Sequence, residues 1–259
     1  MVDHSQMKLG RKHVKTDSRT LQLGKYLKDN LPAPPPAKDW TRGIEDWGMM
    51  LNQIHGDCTI AAAAHAIQVW SVNAKGEKGE VRLPDDRILH YYEKWDGYNP
   101  SDPNTDGGGV ELDVLNNWQQ TDLDSHELIA YADPAFSKID EIRQAIALFG
   151  GVYIGLSLPT TAMKQEIWDV VPNGGADAKP GSWGGHAVFV PKYDAHTFTC
   201  ITWGKLKTMT VAFWKEYVDE AHALLSHDWF KERGSPSGFD LTALKADLAA
   251  IPKKAPAKA

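Results

Sequence analysis

Asn52-Gln53-Ile54-His55-Gly56-Asp57-Cys58-Thr59-Ile60-Ala61-Ala62-Ala63-Ala64 sets a cysteine at the head of an alanine-rich run, with a carboxamide shortly before it. Apolar residues continue through Ile67, Val69 and Trp70, so the spacing predicts a helix from Cys58 to about Val72. Asp57 is expected at the N-cap, which puts Cys58 in the first turn, where the helix dipole favours a thiolate. A thiol attacks well only when ionised, and histidine is the usual group that takes its proton. A histidine follows far downstream, in Gly184-Gly185-His186-Ala187-Val188. Gln53 is placed to donate to the oxyanion of an acyl-transfer intermediate.

The rest of the chain narrows what such a pair could serve. Its 259 residues, 42% hydrophobic and 24% charged, suit a core built as one domain or two closely packed lobes. A formal charge of −6 argues against nucleic acid or an acidic membrane as the main partner. Apolar runs fall short of the roughly 18–20 residues that span a bilayer, and residues 1–30 contain no secretory apolar core. The two cysteines, Cys58 and Cys200, make no disulfide framework, which points to a reducing compartment and a cytoplasmic location. Neither Cys-x-x-Cys nor His-Glu-x-x-His occurs, so no metal and no cofactor are expected.

Residues 1–36 read as a basic, proline-rich arm with a short helix near Leu21–Leu27, residues 37–251 as the folded unit, and 252–259 as a low-complexity, disordered tail. Helical stripes occupy Leu83 to Trp95, Val110 to Trp118 after Gly107-Gly108-Gly109, and Ile139 to Phe149 before Gly150-Gly151. The period then changes to two. Strands are expected at Val152–Leu158, His186–Val190, Thr197–Trp203 and Met209–Phe213, with a hairpin turn near Tyr193–His196. Gly181 to Gly185 read as a mobile loop ahead of His186. Helices first and a largely antiparallel sheet second make an α+β plan with two lobes.

This ordered set resembles the papain-like cysteine peptidases over roughly residues 36–230. Pro36 to Arg42 resembles the Pro-x-x-x-Asp-Trp-Arg that opens the mature domain, and Asn52-Gln53 resembles the Asn-Gln-Gly of the oxyanion hole. Gly108-Gly109, His186-Ala187-Val188 and Ile201-Thr202-Trp203-Gly204 stand where that family has its Gly-Gly, His-Ala-Val and Asn-Ser-Trp-Gly. The resemblance implies a two-lobe fold, with a helical left lobe carrying the nucleophile helix and an antiparallel sheet as the right lobe. It implies Cys58 as nucleophile, His186 as base, Gln53 as oxyanion donor, and Gly108, Gly109, Gly185 and Trp203 along the bound substrate. A peptide or protein substrate follows; oligomeric state does not.

Two departures bear on activity. Ile201 stands where the family's imidazole-orienting Asn would be, and it cannot accept a hydrogen bond. Thr202 would face the other way unless a bulge turns it in, and Asp194 falls in the expected hairpin turn; Thr202 is the preferred third residue. Asp57 beside the thiol would oppose its ionisation unless engaged as a cap. His55 and Asn52 are secondary oxyanion donors. His65 sits about 10 Å along the helix and reads as a core histidine, Cys200 as packing, and most of the ten tryptophans as core. The expected activity is a Cys–His hydrolase; the alternatives are a degenerate peptide-binding domain and a transglutaminase-like acyltransferase.

Overall fold

In the computed structural model, residues 3–234 and 238–250 are described. Helix α1 (Cys58–Lys75) is buried without interruption from Cys58 to Val72, so it is a core helix rather than an amphipathic surface one. Ala61 to Ala64 and Ala66 give it a thin wall that lets other elements approach closely. Gly76, at φ 80, ends it with its N–H on the Val72 carbonyl.

The helix expected over Leu83–Trp95 is two pieces: α2 (Asp85–Tyr91), then a π-helical turn at Tyr92–Asp96. Such turns are local and leave no mark in a 3.6-residue stripe. Helix α3 (Glu111–Gln120) follows the glycine run. Helix α4 (Ile139–Phe149) stops at Gly150, φ 85. The arm segment Leu21–Leu27 forms only a single 3-10 turn, Leu23–Lys25, anchored by fully buried Leu23.

The strands are β1 (Lys38–Asp39), β2 (Leu128–Ala132), β3 (Val152–Leu158), β4 (Gly184–Tyr193), β5 (Thr197–Thr202), β6 (Lys205–Thr210) and β7 (Val218–Ser226). They pair antiparallel in the order β2-β7-β3-β4-β5-β6, with β1 on the far end of β4. Gly184 and Gly185, read as loop, belong to β4 and pair with Leu158 and Ser157. The strand expected at Met209–Phe213 is also corrected. β6 ends at Thr210, whose hydroxyl accepts the Phe213 N–H and caps helix α5 (Val211–Tyr217). Helices α6 (His227–Arg233) and α7 (Leu241–Ala250) close the described chain, and the tail read at 252–259 lies outside it. The α+β class is as expected.

Three tryptophans explain part of the high indole count. The last four carbonyls of any helix lack intrahelical partners. At the end of α4, Trp40, Trp229 and Trp70 donate their indole N–H groups to the carbonyls of Ile146, Leu148 and Phe149, at 2.8, 2.9 and 2.8 Å. Each ring thereby buries a large apolar face without an orphaned donor. No helix among the described residues is long and apolar enough to cross a membrane.

Trp70 is fully buried, with Phe189 edge-on to its ring. Trp70→Phe should cost about 2–4 kcal/mol, from lost volume and an unpaired Phe149 carbonyl. A urea titration should show a lower midpoint with an unchanged slope.

Candidate active site

The site is built where the first turn of α1 meets β4. Cys58, 1% exposed, accepts the Ala187 backbone N–H on its sulfur at 3.4 Å. The neighbouring His186 is fully buried. Its Nε2 is hydrogen-bonded to the Thr202 hydroxyl at 2.7 Å, and its Nδ1 is buried without a partner. The Trp203 ring stacks on the imidazole, with centroids 4.7 Å apart and planes inclined by 20°.

Register brings Thr202 to the imidazole. Phe189 pairs with Ile201, so those two share a face, and Thr202 takes the face of Val188 and His186. A one-residue bulge in β4 between Phe189 and Lys192 sets this alignment. Trp203 and Gly204, at φ 48 and 69, then close a two-residue hairpin to β6. Asp194 accepts the N–H groups of His196 and Thr197 in the β4–β5 turn.

Asp57 holds the N-cap position of α1 but makes no side-chain cap bond. It is buried and accepts instead from the Asn52 carboxamide at 3.1 Å. Burial raises its pKa well above the usual carboxylate range. Asn52 also reaches the His55 carbonyl, so its donor is committed. Gln53 has a buried, unpartnered Oε1, and its amide donates to no group among the described residues. Asp106 ties the two walls together by accepting the Gly56 N–H and the Tyr92 hydroxyl, and that same hydroxyl accepts the Gly108 N–H. His65 is hydrogen-bonded to the Trp47 carbonyl, and Cys200 is buried in β5.

The N-terminal arm lies across this site in extended form. Arg11 donates its N–H to the Gly185 carbonyl at 3.0 Å, and Lys12 donates to the Gly109 carbonyl at 2.7 Å. Gly109 in turn donates to the Gly10 carbonyl at 2.8 Å. The Trp203 indole donates to the Lys8 carbonyl, and His4 stacks on the Trp203 ring. Only glycine fits at position 10, since a Cβ there would meet the Gly56 carbonyl oxygen at 1.8 Å. At Gly108, φ 76, an added Cβ would meet the Gly10 carbonyl oxygen at 1.7 Å. Reading the arm as a polar appendage gave no sign of this path; the Gly10-Arg11 pair was the available signal.

Burial leaves Cys58 and His186 uncharged. Burial, helped by Asp57, pushes the Cys58 thiol up to about 12, against the lowering effect of the Ala187 N–H. Burial, with Arg11 and His4 adding to it, drops His186 to about 3. A thiolate–imidazolium pair does not form under such desolvation.

By sequence, the chain matches no family profile and no curated protein. Solved structures do match it. Xylellain, a cysteine protease from Xylella fastidiosa, is 16% identical over 86% of this chain and 98% of its own, with a TM-score of 0.53. Procathepsin B S9 from Trypanosoma congolense is 12% identical over 86% and 88%, at 0.58. Digestive procathepsin L 3 from Tenebrio molitor larval midgut is 10% identical over 84% and 76%, at 0.54. The fold is the papain-like one.

Gly10→Ala should unseat the arm while leaving the fold intact. Iodoacetamide labelling of Cys58 at pH 7.5, read by mass spectrometry, should accelerate at least about tenfold, equivalent to roughly 1.4 kcal/mol in the opening equilibrium. An unchanged rate would show that the arm is not what shields the thiol.

Proposed function

We propose that this chain is a cysteine hydrolase, a peptidase or amidase, held latent by its own N-terminal arm. One observation carries the reading: an extended backbone already lies between Gly109 and Gly185 beside Cys58, held by main-chain hydrogen bonds and paired parallel to Gly109. Strand addition to exposed backbone groups is a general mode of peptide recognition. The chemistry then belongs to Cys58 and His186. With Thr202 fixing Nε2, Nδ1 is the free base.

Once the arm leaves, water returns, the thiol proton passes to Nδ1, and the thiolate attacks the substrate carbonyl carbon. The uncommitted Gln53 carboxamide and the Cys58 backbone N–H receive the oxyanion, while Asn52 stays on Asp57. His186 returns its proton to the leaving amine and then activates the water that cleaves the thioester. Threonine replaces a carboxamide acceptor with a hydroxyl, a weaker but sufficient orienting group. Both cysteines are free and buried, which fits a reducing, cytoplasmic setting.

The test is the pH dependence of Cys58 alkylation in the Gly10→Ala chain, together with hydrolysis of a peptide library. With the arm seated, a thiol pKa of about 12 means reactivity should climb tenfold per pH unit across the neutral range. With the arm displaced, a plateau of reactivity should appear well below pH 8 and vanish in His186→Ala. Thr202→Val should lower kcat/KM roughly tenfold, the worth of one hydrogen bond in the transition state. Slow labelling that ignores His186, with peptide bound but uncut, would mark a binding domain instead.

A further inference from the structure

One side chain of the arm is buried far more deeply than latency requires. Arg11 is 2% exposed at its side chain, with Nη1 on Glu220 at 2.6 Å and Nη2 on Asp219 at 2.7 Å. Ser157 braces the second carboxylate, its hydroxyl donating to Asp219 at 2.6 Å. Glu111, fully buried at the head of α3, closes the pocket with both carboxyl oxygens free of hydrogen bonds. His222 stands behind, with Nδ1 on Asp133 at 2.6 Å and Nε2 at 3.6 Å from Glu220 and 3.8 Å from Glu111. The floor is Gly155, where a Cβ would meet the Glu220 side chain at 2.6 Å and Arg11 Nη1 at 2.9 Å.

Every wall of this pocket comes from the body of the fold, and the arm contributes the guanidinium that fills it. When the arm leaves, Asp219, Glu220, Glu111 and Asp133 face His222 alone. The Asp133 hydrogen bond and the nearby Glu220 carboxylate outweigh burial and lift His222 to about 10, so it is already a cation at neutral pH. Burial and the nearby Glu220 push Glu111 well above the usual carboxylate range. With Arg11 gone, Asp219 and Glu220 both lose the guanidinium that each now bonds. Arg11 N–H bonds Gly185 and its neighbours bond Gly109, so the pocket opens at the residue next to the one lying on Cys58.

We infer that this acidic pocket selects an arginine side chain in the peptide substrate, at the residue held between Gly109 and Gly185 and adjacent to the attacked carbonyl. The inference rests on the hydrolase reading for its word substrate, but the pocket's preference holds for binding alone. Arginine is favoured over lysine because two separate carboxylates engage the two ends of one planar fork. An apolar residue would leave the buried Glu220 carboxylate without the guanidinium that now bonds it, and an acidic one would add repulsion.

The experiment uses the full chain carrying Cys58→Ala and Arg11→Ser, with fluorescein-labelled tetrapeptide amides identical except for Arg, Lys, Leu or Glu at the pocket residue. Anisotropy should show the Arg peptide binding about tenfold tighter than Lys and about a hundredfold tighter than Leu, as expected for a buried bidentate pair, with Glu not binding. Glu220→Gln with Asp219→Asn should erase the preference. Equal binding of the Leu peptide, a preference that survives those two changes, or no binding by any peptide would overturn the inference. Should Arg11→Ser fail to fold, Gly10→Ala, which unseats the arm through its clash with the Gly56 carbonyl, empties the pocket for the same comparison. Arg-selective binding with no turnover by the Cys58 chain would end the hydrolase reading and leave the pocket assignment standing. Turnover without Arg preference would do the reverse.

Discussion

The close seating of α1 against β4 is the constraint on which the rest depends. A helix whose inner wall is methyl groups can approach until its first-turn sulfur meets the Ala187 N–H at 3.4 Å. Larger residues at Ala61 to Ala64 would push the helix away and separate Cys58 from the strand that carries His186. The approach also excludes water, so both groups rest in neutral form beneath the arm. Desolvation that quiets the site when covered is reversible only by uncovering it. On the proposed function, latency and reactivity are two hydration states of one geometry.

Around that contact the polar groups fall into two kinds. One kind is spent: Asn52 on Asp57, Asp106 on Gly56 and Tyr92, Thr202 on His186. The other is unspent though buried: His186 Nδ1, Gln53 Oε1, and the oxygens of Glu111. Buried polar atoms without partners are uncommon because each costs free energy. His186 Nδ1 lies beside the thiol, and the Glu111 oxygens lie beside the pocket that Arg11 fills.

Much of the fold was legible because its signals are local. The period of α4, the alternation of β3 and the alanine run of α1 each report an environment that neighbouring residues share. Cys58, His186 and the glycines were singled out because their order follows a known pattern. Thr202 was harder. Its facing depends on a one-residue bulge in the partner strand, and a slip of one residue exchanges the two faces. Asp57 stands at the N-cap as expected, but its carboxyl accepts from Asn52 and not from the helix N–H groups, a choice of donor that the sequence leaves open. Met209–Phe213 looked like strand because β-branched and aromatic residues also begin a capped helix when a threonine hydroxyl is positioned to start it.

By itself the sequence determined the α+β class, the position of the thiol at a helix head and the distant histidine that could serve it, because helix and strand periods are written in adjacent residues. Only the tertiary structure decided that Gly10 and Arg11 lie in the cleft and that Arg11 ends between Asp219 and Glu220. Those partners stand more than two hundred residues from it. Nothing local marks one arginine in a polar arm as buried. What buries it is a pocket of carboxylates assembled from β7 and α3, which exists only after the sheet and the helices have packed.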